Sequence, residues 1–428
     1  MEGGITVKNK KVYFAGKPVA ELMKRFDNPL FVFSQQRLID NYKALVKAFR
    51  KHYPKTSVYY SIKTNFEPSV LGTLRSLGSF GEAASGLEVT VAKKAGFKGS
   101  ELIVDGPAWT DEDIELFIKE GLRTLNVDSL DLMHRVNSIA KKLKRKVRVS
   151  FRIYPEMKIS LLKSFIENYI SKFGVRLSKA IEAYAQAQKL SNVEIVGISA
   201  HIGSMITDPG FYEQAIDRFV KLAHELKKKL GINISEINIG GGYGVQSLNY
   251  YSIQNIILSK AGVSAYSKAA SIAEFGERIA KRFKNNLKKY HLPEIELILE
   301  PGRFLVSDAG VLLTKVVSVK DNWVFIDGGI NLIPESLFFI RRGFIVDGKA
   351  GVKANKKYNV AGPTLNTADV LSAEQLLPET KTGDLMVVLD AGAYSLTRSN
   401  QFTILRPNVV FVNTKGQVKL IRKKESPQ

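Results

Sequence analysis

The chain has 428 residues, 45% of them hydrophobic, which is enough to build a full core and more than one domain usually needs. It contains no cysteine, so disulfides, thiolate nucleophiles and cysteine-ligated zinc are excluded. Lys and Arg number 63 against 41 Asp and Glu, a formal net charge of +22. Runs such as Lys141-Lys142-Leu143-Lys144-Arg145-Lys146 and Lys227-Lys228-Lys229 read first as solvated helix faces, and no nucleic-acid motif accompanies them.

The start, Met1-Glu2-Gly3-Gly4, lacks the basic and apolar regions of a signal peptide, and no run of about 18 uncharged apolar residues follows. A cytoplasmic protein with no membrane contact and no specific nucleic-acid partner is the expectation. Residues 1–34 include a strand-like stretch, Ile5–Phe14, expected to join a later sheet. From 35 to 303, apolar runs (Val58–Ile62, Leu102–Val104, Thr124–Val127, Val147–Ile153, Ile195–Ala200, Ile237–Ile239, Glu296–Leu299) alternate with amphipathic helical segments. That alternation predicts an α/β fold with a parallel sheet, and seven or eight units favour a closed (β/α)8 TIM barrel over an open doubly wound sheet. Residues 304–422 change to short β-rich runs punctuated by Gly, Pro, Asn and Asp, predicting a C-terminal, mostly antiparallel β-domain; 423–428 reads as a disordered tail.

Four motifs fall where predicted strands end, the catalytic face of such barrels. Tyr60-Ser61-Ile62-Lys63 ends the first, and Lys63 shares a face with Tyr59 and Ser61. A strand-end lysine is commonly a solvated rim residue; in a dry pocket its amine becomes a nucleophile for Schiff-base formation. His201-Ile202-Gly203-Ser204 offers an aromatic base that can stack on a ring, or a core histidine. Gly240, Gly241 and Gly242 form a turn whose backbone amides can approach a phosphate, or only a tight βα turn; the spacing is not that of a dinucleotide fingerprint. In Glu300-Pro301-Gly302-Arg303, the carboxylate can keep a pyridine nitrogen protonated and the arginine can bind an anion. Amine, aromatic base, glycine turn and acid together fit pyridoxal 5'-phosphate, with no metal.

These motifs, in this order, resemble the diaminopimelate and ornithine decarboxylase family of fold-type III pyridoxal-phosphate enzymes, whose barrel is the alanine racemase-like one. Glu82-Ala83-Ala84-Ser85-Gly86-Leu87-Glu88, Lys172-Phe173-Gly174, Gly362-Pro363 and Asp390-Ala391-Gly392-Ala393-Tyr394 extend the likeness over nearly the whole chain. The resemblance implies that Lys63 is the Schiff-base lysine, His201 the ring-stacking residue and Glu300 the partner of the pyridine nitrogen. It implies that Ser204, Gly240–Gly242, Arg303 and Tyr394 hold the phosphate, and that two subunits form a head-to-tail homodimer with shared active sites.

The departures lie in Gly362-Pro363-Thr364-Leu365-Asn366-Thr367-Ala368-Asp369. Leu365 stands where the family has its proton-donating cysteine and Asn366 where it has an acid, while Asp369 is kept; with Lys172 these are substrate or dimer-interface candidates. Ile333-Pro334-Glu335-Ser336-Leu337 replaces the family's Arg-Pro-x-x-Tyr element, and Gln246–Ala265 resembles an insertion. Arg341-Arg342 offers a substitute anion site or two solvated cations. The expectation is therefore a decarboxylase of an amino acid other than diaminopimelate, with Lys63, Tyr394 or water as proton donor. Two alternatives stand beside it: a racemase, epimerase or decarboxylation-linked transaminase, and a silent, partner-binding homologue. The charge adds the expectation of an anionic substrate or an acidic carrier protein.

Overall fold

The computed structural model describes residues 4–157, 172–245, 248–250, 269–341 and 343–427. They divide into two compact units. One comprises Tyr42–Gly244 and Ala269–Gly302; the other comprises Met1–Asn41, Val245–Lys268 and Arg303–Gln428.

The first unit is a closed barrel of eight parallel strands: Thr56–Ser61, Phe80–Ala83, Leu102–Gly106, Thr124–Val127, Val147–Tyr154, Val193–Ser199, Glu236–Asn238 and Glu296–Leu299. Closure is completed by Glu296–Leu299 pairing with Thr56–Ser61. The strands are short and almost wholly buried because helices cover their outer faces while side chains fill the interior. The helices begin where side chains satisfy their first free amides: Ser85 caps Gly86–Lys94, Thr110 and Asp113 form a capping box at Asp111–Lys119, and Ser129 caps Leu130–Lys142. Gly210–Leu230 ends at Gly231, whose φ of +68° closes the helix in the left-handed region.

The N-terminal end of the barrel is plugged by ions rather than hydrocarbon. Arg123 donates to the Tyr59 hydroxyl and to Glu296, while buried Glu236 accepts from Thr124 Oγ1 at 2.8 Å and Arg148 NH2 at 2.9 Å. Five barrel strands are thereby tied together at one end.

In the second unit a mixed sheet runs in the order Val370–Leu377, Lys356–Ala361, Trp323–Ile326, Gly310–Lys320, Leu30–Ser34, Asn408–Val412 and Val418–Arg422, with Leu385–Val388 and Phe344–Val346 branching from Gly310–Lys320. Most pairings are antiparallel, but Leu30–Ser34 runs parallel to Asn408–Val412 and Trp323–Ile326 parallel to Lys356–Ala361. The N-terminal expectation needs correction. Ile5–Phe14 forms its own small antiparallel sheet with Lys17–Pro18, and it is Leu30–Ser34 that enters the large sheet. The early hairpin instead buries Ile5, Val12 and Phe14 with Val32, Val311, Val387 and Val410. Leu30–Ser34 is a continuous apolar run, buried on both faces, and so carries no period-two signal. The tail expectation is also corrected: Arg406 binds Glu425 at 2.8 Å and Lys424 reaches Asp27 at 3.2 Å. Gln246, Ser247 and Tyr251–Ala265 of the insertion-like stretch, and Arg342, lie outside the described residues. Among the described residues no helix is long and apolar enough to cross a membrane.

Candidate active site

Lys63 lies on a single 3-10 turn, Ile62–Thr64, that follows the first barrel strand. Its Nζ donates to both oxygens of Glu82, at 2.8 and 2.6 Å, and the Ser61 hydroxyl donates to the same carboxylate at 2.6 Å. Ser61 and Lys63 thus act on one side, as strand alternation predicts. The dry pocket expected for the amine is not what the structure builds: the Lys63 side chain is 38% exposed and its partner Glu82 fully buried. Burial opposes ionisation of Glu82, but Lys63 and Ser61 outweigh it and hold the carboxyl below its usual value.

Glu300 directly follows the last strand and is 6% exposed. Asn238 donates to it at 2.6 Å. Burial, then the charges of Asp105 and Glu82, push its carboxyl well above the ordinary range, which favours its protonated form. His201, just past the sixth strand, is exposed. Crowding by the surrounding protein, then the Arg152 and Lys63 cations, lower its imidazole below the ordinary value, so the ring is neutral and suited to stacking.

Gly240 and Gly242 have φ of +71° and +95°, which favours glycine. A Cβ on Gly241 would strike the Glu300 carbonyl oxygen, and one on Gly242 that of Gly203. The glycine turn therefore locks the ends of three strands together: Glu300 N donates to Gly240 O at 2.9 Å and Ile206 N to Gly242 O at 2.8 Å. Ser204 is exposed on the neighbouring loop.

In the other unit, Arg303 is 7% exposed and grips Glu335 through both terminal nitrogens, NH2 at 2.6 Å from Oε1. Its guanidinium stacks over Phe339 at 4.8 Å and Tyr394 at 5.0 Å. Arg398 lies 5.4 Å from the same tyrosine ring and 3.8 Å from Glu335. Asp369 is a loop clasp, accepting from Ile330 N at 2.8 Å, Thr364 N at 2.9 Å and Thr364 Oγ1 at 2.6 Å. That clasp presents Leu365, 93% exposed, and the Asn366 side chain turns back to accept from Ala368 N. Lys172 is exposed, its Nζ 5.1 Å from the Phe173 ring.

Residues 39–307 match the family described as pyridoxal-dependent decarboxylase, pyridoxal binding domain. The chain belongs to this family. It is 30% identical to a diaminopimelate decarboxylase of Methanothermobacter thermautotrophicus, the alignment covering 96% of this chain and 92% of that one. To a diaminopimelate decarboxylase of Aquifex aeolicus it is 31% identical, with 97% and 94% covered. Among solved structures, a diaminopimelate decarboxylase from M. jannaschii in complex with L-lysine aligns with a TM-score of 0.88 at 28% identity, over 100% of this chain and 96% of that one. As a pyridoxal-dependent decarboxylase, the chain uses pyridoxal 5'-phosphate to act on an amino acid.

The barrel mouth fits that cofactor. It offers a primary amine anchored by a buried carboxylate, a buried acid whose protonated form is favoured, a neutral imidazole and a glycine turn. Sequence reading missed Asn238, Asp105 and the acid that holds Lys63. Glu82 was visible only as part of a motif; a glutamate inside the otherwise buried strand Phe80–Ala83 is itself the signal, since a buried acid needs a partner.

Proposed function

We propose that Lys63 is the amine that carries the cofactor and that the protein releases carbon dioxide from an amino acid whose distal end differs from that of diaminopimelate. The bidentate grip of Glu82 on Lys63 Nζ is the observation that supports the first part. Bound pyridoxal phosphate supplies an electron sink for the bond being broken. Glu300 would hold the ring nitrogen's proton, His201 would stack on the ring, and Ser204 with the Gly240–Gly242 turn would take the phosphate. Arg303 and Tyr394 keep the phosphate role the resemblance implies, Arg303 sharing its guanidinium with Glu335.

With Leu365 in place of a proton donor, Lys63 is the group that returns a proton to the substrate carbon. Its ammonium is steadied by Glu82, and after donation the neutral amine is free to attack again. The different distal end rests on Ile333 and Leu337, which stand where the family carries an arginine and a tyrosine; between them Glu335 is a buried acid already bound to Arg303. Protein and substrate are proposed to meet in the cytoplasm, in a homodimer.

Borohydride reduction of the cofactor-loaded protein, followed by peptide mass spectrometry, is expected to place the adduct on Lys63; an adduct on another lysine would overturn that assignment. Carbon dioxide release from lysine, ornithine, arginine and meso-diaminopimelate at equal concentration tests the substrate. Diaminopimelate is expected to be turned over at least tenfold more slowly than the best of the others, and the reverse order would make it the substrate after all. Chiral analysis of recovered substrate distinguishes decarboxylation from racemisation.

A further inference from the structure

The barrel mouth holds one more carboxylate than these roles use. Lys63 engages Glu82 and the ring nitrogen requires Glu300, yet Asp105, in the third strand Leu102–Gly106, brings a third acid to the same place. Acceptor oxygens of Glu82, Asp105 and Glu300 all lie within 4.8 Å of one another, and the three residues are 0%, 9% and 6% exposed. Asp105 is fixed from the fourth and the sixth strands. Its Oδ2 accepts from Asn126 Nδ2 at 2.7 Å and its Oδ1 from Ser199 Oγ at 3.2 Å, while Asn126 is itself held by the Ser150 hydroxyl.

The charges facing this cluster are few. Glu82, Arg152 and Lys63 act on Asp105; Asp105, Glu82 and Lys63 act on Glu300; His201, beside Glu82, is neutral. Three carboxylates against Lys63 and Arg152, the latter shared with Asp128 at 3.8 Å, would leave an uncompensated buried negative charge. In a low-dielectric site the group neutralises instead by keeping a proton. Lys63 and Ser61 favour the ionised form of Glu82, which leaves Asp105 and Glu300 as the acids able to keep that proton. Burial and the Glu82 charge push Asp105 up, and burial and the Asp105 charge push Glu300 up.

We propose that Asp105 makes the barrel mouth a one-proton store shared with Glu300 before the cofactor is loaded, and that this proton would pass to the cofactor's ring nitrogen on loading. The step breaks an O–H bond of the carboxyl and forms an N–H bond on the ring, leaving Glu300 a carboxylate; no electron is transferred and no solvent proton is needed. Asp105 is a positioning residue here, acting on the cofactor through Glu300. The inference rests on the assignment of Glu300 to the ring nitrogen and of Lys63 to the cofactor.

Infrared difference spectroscopy of the full-length, cofactor-free protein at pH 7 reads the store directly, in an E88Q background that removes a nearby acid whose carboxyl is pushed up to about 7. A protonated-carboxyl C=O band sensitive to D2O is expected, it disappears when pyridoxal phosphate is added, and it is absent in Asp105→Asn. Asp105→Glu, which restores the charge, is expected to restore the band, an outcome that a purely structural role for Asp105 does not give. Should Asp105→Asn fail to fold, Glu300→Gln alters the charge balance equally and is expected to lose the same band. A parent spectrum without the band, or a band that survives both substitutions, overturns the proposal. If borohydride traps the cofactor on Lys63 while the band is missing, the store fails and the Lys63 assignment stands. A band present without a Lys63 adduct supports the store and removes Lys63 as the cofactor's amine.

Discussion

At the scale of single residues, the barrel mouth is a problem of placing acids near one amine, and each acid is set by a different neighbour. Glu88 shows the cost. It accepts from Ala84 N at 2.8 Å, but burial and then the charge of Glu82 push its carboxyl up to about 7. A folded value raised above the ordinary one near 4.5 means that Glu88 contributes to stability at acid pH, and that this contribution is lost as pH rises through about 7. Glu88→Gln keeps a neutral side chain at every pH. It is expected to match the parent at pH 4 and to exceed it by about 1 kcal/mol at pH 8, read from denaturant unfolding at the two pH values. Equal differences at both would show that Glu88 is ionised without penalty. Lys63 was legible in the sequence because an amine at a strand end is chemically conspicuous. Asp105 was not, since its meaning depends on Glu82 and Glu300, which lie 23 residues before and 195 after it in the chain.

At the scale of elements, the two ends of the barrel divide the work. The C-terminal ends carry Lys63, Glu82, Asp105, His201 and Glu300, whereas the N-terminal ends are fastened by Arg123, Arg148, Tyr59, Glu236 and Glu296. Arg123 is 24% exposed and Glu236 only 4%, so removing the arginine leaves acids that are partly desolvated and short of a partner. Arg123→Ala is expected to cost roughly 2–3 kcal/mol, below the full penalty of a deeply buried pair because water reaches the guanidinium. Thermal unfolding should shift while carbon dioxide release per folded molecule stays within about twofold, since the substitution lies at the opposite end from the chemistry. A large loss of turnover at unchanged stability would contradict this division. The alternation of apolar runs and helical stretches announced the barrel. The ion plug was silent, because each of its residues alone reads as an ordinary surface charge.

At the scale of the whole molecule, an apolar side chain as exposed as Leu365, with Leu337, Phe338 and Phe402 also exposed on the same unit, calls for cover. A second copy of the chain is the proposed cover, and sedimentation equilibrium of the parent should give twice the chain mass; Leu365→Asp is expected to weaken self-association at least tenfold. The charge of +22 bears on a separate proposal, the acidic carrier or anionic substrate. If steering by this field matters, kcat/KM falls steeply as salt is raised, while a flat profile removes the carrier from consideration.

By itself the sequence determined the periodic alternation that closes a barrel, the positions where strands end, and the chemical inventory at those ends, because hydrophobic period and glycine placement act locally. It also announced a second, β-rich unit. Only the tertiary structure decided which strand near the N-terminus enters the large sheet, since Leu30–Ser34 is buried on both faces and shows no alternation. Only it brought Glu82 onto Lys63, Glu335 onto Arg303 and Asp105 beside Glu300. Charge interactions in a low-dielectric interior depend on distances that strand register and barrel closure set, and no local pattern in the chain encodes them.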